Sequence, residues 1–157
     1  MVISGGQTGV DRAALDAARD NNLLSGGWCP AGRLAEDGRI PEMYPLMETP
    51  TSEYAVRTEW NVRDSDGTLI LTRENLTGGT RLTAVLALRY NKPLLVVDLS
   101  SVTDPERLAQ RIIEWLRLHK IRVLNVAGPR ESTCPGIYAR AKWVLDALFT
   151  KMAHFGR

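Results

Sequence analysis

Met1-Val2-Ile3-Ser4-Gly5-Gly6-Gln7-Thr8-Gly9-Val10-Asp11-Arg12-Ala13-Ala14 is the stretch that decides the fold. Its first four residues read as a strand that opens with the chain, with apolar β-branched side chains at Val2 and Ile3. The glycines at 5, 6 and 9 read as a tight loop. A helix is predicted over residues 10–22, where Ala13, Ala14, Ala17 and Ala18 make a small-residue face that can lie close against a sheet. Strand, glycine loop and helix in that order are the opening of a parallel strand-helix-strand unit.

The same alternation continues outward. Residues 26–29 read as a short second strand broken by Pro30, and residues 31–51, rich in Gly, Pro and charge, as a long loop. A helix is expected over 52–63 and a strand over 68–71. Gly78-Gly79 then punctuates before a helix over 80–90, and residues 94–98 form a buried type of strand. Thr103 and Glu106 stand at capping-box spacing, opening a helix with Leu108, Ile112, Trp115 and Leu116 on one face. The last strand is expected over 122–126, ended by Gly128-Pro129. Ile137, Ala141, Val144, Leu145, Leu148 and Met152 form the clearest helical stripe in the chain. Strands that alternate with helices predict an α/β fold with a mainly parallel sheet covered on both faces. No linker divides the 157 residues, so one domain over 1–157 is expected.

Composition narrows the function classes. The chain is 44% apolar and 24% charged, which excludes disordered and collagen-like chains. Its uninterrupted apolar runs fall far short of the ~20 residues of a membrane helix, and no secretory leader opens it. Cys29 and Cys134 form no CxxC and have no histidine at metal spacing, so neither a disulfide scaffold nor a metal site is expected, and a reduced, cytoplasmic compartment is. Charge is uneven: residues 31–66 hold four Arg and eight Asp or Glu, and residues 107–157 hold ten Lys or Arg and three Asp or Glu. The basic part falls on predicted helices, as a solvated face, with no recognition-helix, zinc-finger or RNP-like pattern. A nucleic-acid partner is therefore not expected.

Ligands of open parallel sheets bind beyond the carboxyl ends of the strands. Three such ends here carry glycine. The first brings Gly5, Gly6, Gln7, Thr8, Gly9 and Arg12, where loop amides, side-chain donors and a cation suit an anion. No Gly-Lys-Ser/Thr follows, so the loop is not a P-loop, and Ser4 stands where a dinucleotide fingerprint begins with Gly. The second brings Gly78, Gly79 and Thr80; the third brings Gly128, the fork donor Arg130, and Ser132. Together they predict a phosphorylated small molecule as partner. Asp64-Ser65-Asp66-Gly67 lacks the turn glycine and closing glutamate of a calcium loop and reads as a turn. Glu36-Asp37-Gly38 is an acidic turn inside the long loop, placed to close over a ligand or to build a subunit contact.

Ser4 to Asp16, with Trp28-Cys29-Pro30, Glu36-Asp37-Gly38, Asn61-Val62, Asp66-Gly67-Thr68 and Asn125 to Ser132, resembles the molybdenum carrier family nearly end to end. The resemblance implies a Rossmann-like three-layer sandwich of the SLOG superfamily, which holds lysine-decarboxylase-like and lonely-guy proteins. It also implies circular permutation relative to the lonely-guy type. Residues 128–148, with Pro135, Tyr138 and Ala141, look like that type's first strand-helix unit moved to the end. Arg57, with Asp66, has the spacing of its active-site arginine and the aspartate before the next strand. The related enzymes carry Pro-Gly-Gly-x-Gly-Thr-x-x-Glu with a catalytic Glu, whereas Thr83 stands in its place here. A hydroxyl does not replace a carboxylate as base, so no catalytic residue is nominated. The resemblance implies a carrier or binding protein and, as cofactor, molybdenum cofactor, a pterin phosphate. Trp28, Asn61 and Gln7 are the residues with aromatic or amide edges for a pterin. The rivals are a nucleoside 5'-monophosphate phosphoribohydrolase-like enzyme and a nucleotide-ligand sensor. A homo-oligomer, dimer or tetramer, is expected, with Trp143, Tyr138, Phe149 and Trp115 as surplus aromatics for the contact.

Overall fold

A computed structural model of the chain describes residues 1–73 and 75–155; Glu74, Gly156 and Arg157, which the one-domain expectation also covers, lie outside the described residues. Five strands pair in parallel in the order β2-β1-β9-β7-β8: β1 (Val2–Ile3), β2 (Ser25–Gly26), β7 (Gly67–Thr72), β8 (Leu94–Asp98) and β9 (Leu124–Ala127). Helices α1 (Val10–Asp20), α4 (Pro105–Leu118) and α5 (Ile137–Phe155) cover one face. Helices α2 (Tyr54–Asp64) and α3 (Gly78–Arg89) form the other layer. Leu69 and Leu71 of β7 and Leu124 and Val126 of β9 point into the first layer. At alternate positions of the two strands, Thr68 and Asn125 fall on the α2/α3 side, where Asn125 Nδ2 donates to Thr68 Oγ1 at 3.3 Å.

The expected α1 face is buried: Ala13, Ala14, Ala17 and Ala18 have no exposed surface, and the absence of larger side chains lets α5 and the sheet approach closely. The α5 stripe is equally complete from Ile137 to Leu148. Each large aliphatic side chain buried there stabilises the fold by about 1.5–3 kcal/mol. Phe149, expected as a surplus aromatic, belongs to this core with no exposed surface. Tyr138 is tied inward by its hydroxyl, which donates to Asp16 Oδ2 at 2.5 Å. Trp143 of α5 keeps a large exposed surface, 39%, with the Arg140 guanidinium 4.7 Å from its ring centre.

Three sequence expectations are corrected. The strand over 26–29 is cut at Gly27, whose φ of +130 bends the chain and where a Cβ would stand 2.3 Å from Ser4 O. Beyond the bend, β3 (Trp28–Cys29) pairs with β6 (Met47–Glu48) and not with the main sheet. The long loop also holds the hairpin β4 (Leu34–Ala35) with β5 (Gly38–Arg39). Its interior is stapled by Arg33, 5% exposed, which donates to the carbonyls of Ile40, Pro41, Tyr44 and Leu46 at 2.8–3.2 Å. A buried guanidinium fork here takes up backbone acceptors that a regular element would satisfy internally. The capping box also fails: Asp104 Oδ1, not Thr103, accepts from Arg107 N at the start of α4, and Pro105 occupies the first turn. Asp66 is the expected turn, accepting from the amides of Arg122 and Val123 at 3.0 and 2.8 Å.

Candidate functional site

Because β1, β9 and β7 are parallel, the loops that follow them emerge on one edge of the sheet. They converge on a cavity of about 140 Å³. Gln7 and Asp11 come from the first loop and the start of α1, residues 77–80 and Thr83 from the start of α3, and residues 127–130 and Thr133 from the third loop. Arg57 enters from α2. A wider groove of about 710 Å³ lies between β8 and α4, away from these loops.

The start of α3 is bare. Thr77 makes no side-chain cap, and the first turn carries no acidic residue. The amides of Gly78, Gly79 and Thr80 donate no hydrogen bond among the described residues. A Cβ at Gly78 or Gly79 would meet nothing within 4 Å, so packing does not demand glycine there. Unused amides and the positive end of the helix dipole favour an anion. Thr83 turns its hydroxyl back to Gly79 O at 2.8 Å, one turn earlier in the same helix.

Two side chains that line this cavity each carry a buried donor with no partner among the described residues. Gln7, 6% exposed, has its Oε1 fixed by the amides of Thr8 at 3.1 Å and Glu36 at 2.8 Å. That leaves Nε2 buried and without a partner. Arg57 donates from Nη1 to Thr58 Oγ1 at 2.9 Å, while its Nε is buried and unpartnered. Its guanidinium passes over Gly5, where a Cβ would come within 2.9 Å of three of its atoms; glycine there clears the arginine's path. Arg57 and Arg130 both lie near Tyr54, 5.5 and 5.7 Å from its ring centre. Buried polar groups are almost always paired, so two orphan donors on one cavity mark a place built for an acceptor.

Asp11 is buried in the same wall, its Oδ2 accepting from Gln7 N at 3.2 Å. Burial pushes its carboxyl above the usual carboxylate range, against the opposing pull of Arg57 and the Gln7 amide.

Other expected residues are employed elsewhere. Arg12 does not reach the cavity: Nε donates to Gly6 O at 2.8 Å, and both terminal nitrogens grip Asp37, each at 2.9 Å. Thr8 and Ser132 also stand outside the lining. Both hydroxyls donate to Glu36, and Ser132 N adds a bond at 3.2 Å. Arg130 Nη1 lies 4.0 Å from the same carboxylate. Burial alone would raise the Glu36 carboxyl, but the bonds from Ser132 and Thr8 outweigh it and hold it below its ordinary range. The acidic turn thus latches the hairpin onto the first and third loops. Gly6 and Gly9 are packed against Leu46 and Ile40 and against Pro129 O, away from the lining. Of the residues with edges for a pterin, Asn61 is occupied on both sides by the backbone of Trp28, and Trp28 Nε1 donates to Asp64 at 2.8 Å. Gln7 alone of the three lines the cavity.

Residues 2–149 match the model of the Circularly permutated YpsA SLOG family. The chain belongs to that family. The permutation is visible in the sheet, where β9, last in sequence, lies between β1 and β7. This SLOG-family chain is also similar to a crystal structure from Syntrophus aciditrophicus SB, named "Putative molybdenum carrier protein". The two share 51% identity over 94% of this chain and 92% of that one, with a TM-score of 0.90. The Rossmann-like α/β expectation is thereby met. No match was found among curated proteins.

Sequence reading gave no role to Asp11 or Thr77, which line the cavity of this SLOG protein. Asp11 had a signal, since an acid in the first turn after a glycine loop faces either the solvent or the loop's ligand. Adjacent helical positions point about 100° apart, and that separation sends Arg12 to Asp37 and Asp11 into the cavity. No helix among the described residues is long and apolar enough to cross a membrane.

Proposed function

We propose that the protein binds a phosphate-bearing small molecule, with the phosphate at the start of α3, and carries it as molybdenum cofactor. The observation that carries the reading is the pair of buried, unpartnered donors, Gln7 Nε2 and Arg57 Nε, beside the amides of residues 78–80, which have no acceptor among the described residues. Arg130, 41% exposed on its side chain, completes a ring of donors with no metal-ligating thiol or imidazole in it. Such a donor set suits phosphate oxygens and not a bare molybdenum centre, so the metal would arrive already held by the pterin. A whole ligand of that size fills roughly 300–1,000 Å³. The enclosed 140 Å³ therefore takes the phosphate end, and the ring system lies at the mouth beside Tyr54 and Arg130. When bound, the cofactor supplies the redox chemistry, and this chain's residues hold and shield its phosphate. The name of the Syntrophus relative supports the carrier reading.

The test is native purification followed by mass spectrometry of the released ligand. A phosphorylated pterin, with molybdenum in the same fraction, is expected. A released ligand without phosphate would overturn the reading. A second reading, hydrolysis of a nucleoside monophosphate, is favoured by one observation, the carboxyl that Asp11 brings to the cavity where Thr83 offers none. Release of base from a nucleoside monophosphate, lost in Asp11→Asn, would select it. We also propose a homo-oligomer with Trp143 at the contact, supported by the exposure of that large ring.

A further inference from the structure

We propose that Asp11 and the anion in the cavity share a single proton, which makes Asp11 the residue that selects oxyanions basic enough to share it, phosphate and its monoesters, over weakly basic ones such as sulfate. The inference rests on the phosphate reading above. Asp11 and the bare start of α3 face the same enclosed space of about 140 Å³. Its hydrogen bonds with the Gln7 amide and the Ser4 side chain would be made equally well by an asparagine oxygen, so they do not call for an acid. An acid inside an anion site needs another account.

The surroundings allow one negative charge beyond the ligand's own only with difficulty. Arg57 faces Asp11 from α2. Arg12, next on α1, is committed to Asp37. Arg130 lines the cavity from the loop after β9. From α3 comes Thr83 and from β9 Asn125, both uncharged. An ionised, buried Asp11 and a doubly charged anion would thus meet at close quarters, and like charges that share such a site do not readily both stay ionised. A phosphate group, whose second proton leaves near pH 6, is basic enough to hold a proton jointly with Asp11 near neutral pH. Sulfate is far less basic, so there Asp11 alone must hold the proton. The upward push of burial on the Asp11 carboxyl acts in the same direction.

The experiment is titration calorimetry of the full chain with inorganic phosphate and with sulfate, in two buffers of different ionisation heat, between about pH 5.5 and pH 8. Sulfate binding is expected to take up close to one proton at the alkaline end and to weaken about tenfold per pH unit there. Phosphate should take up less and hold its affinity further, leaving it preferred by about tenfold or more at pH 7.5. In Asp11→Asn, sulfate affinity should become independent of pH and the preference should collapse. If the variant does not fold, the two-buffer comparison on the natural chain decides alone. Phosphate binding together with sulfate binding that is equal, pH-independent and free of proton uptake would overturn the inference and leave the phosphate reading standing. Binding of neither anion at any pH would overturn both.

Discussion

Gly79→Ala separates stability from ligand binding at one atom. Gly79 lies in the first turn of α3, its φ is outside the left-handed region, and a Cβ there meets nothing within 4 Å. Alanine is favoured over glycine in a helix by up to about 1 kcal/mol, part of it through the unfolded chain. The ligand-free variant should therefore be more stable by about 0.5–1 kcal/mol, a rise in Tm of roughly 2–4 °C for a chain of this size. The same methyl group stands over the amides that would receive the anion. Losing one charge-assisted hydrogen bond there costs about 1.5–3 kcal/mol, or roughly ten- to hundredfold in Kd. Scanning calorimetry without ligand and phosphate titration measure the two effects. Gly9→Ala is the contrast: its φ is +79 and its Cβ would stand 2.3 Å from Pro129 O, so it should destabilise the fold. A folded Gly79→Ala with unchanged phosphate affinity would refute the placement of the anion.

Arg57→Ala and Arg130→Ala should each weaken phosphate binding by about tenfold or more, whereas Arg12→Ala, whose fork is held by Asp37, should weaken it far less; titration of the three variants orders them. Burial raises the folded Asp11 pKa above its ordinary 3.8, so this group's favourable contribution is full below that pH and is lost as pH rises through the folded value. Denaturant unfolding of Asp11→Asn without ligand should then gain on the natural chain as pH increases; a constant difference from pH 4 to 8 would contradict this. The folded Glu36 pKa is lowered, so the latch contributes above the ordinary 4.5 and is released as pH falls through the folded value, which hydrogen exchange at residues 34–39 should register. Light scattering should give a mass above the 17.4 kDa of one chain, and Trp143→Glu should move it toward that value with circular dichroism unchanged.

Local pattern carried the layers of the fold. The alanine face of α1 and the apolar stripe of α5 repeat with the period of one helix, so each could be read inside a dozen residues, and both are buried where that period places them. The glycine loops told which strand ends were open, and the parallel order followed from alternation. Pairings across long separations were not legible. The bend at Gly27 depends on Ser4 O, the folding of the long loop on the four carbonyls that Arg33 reaches, and the position of β9 on β1 at the start of the chain and β7 near its middle. The site divides along the same line. Residue type showed that Gln7, Arg12, Arg57, Arg130 and Ser132 are donors, which is a property of each side chain alone. Whether a donor is free depends on what stands opposite it. Glu36 and Asp37, remote in sequence, occupy Ser132 and Arg12, while nothing occupies Gln7 Nε2 or Arg57 Nε. A sequence states what a side chain can offer, and only the folded chain decides which offers its own acceptors have already taken up.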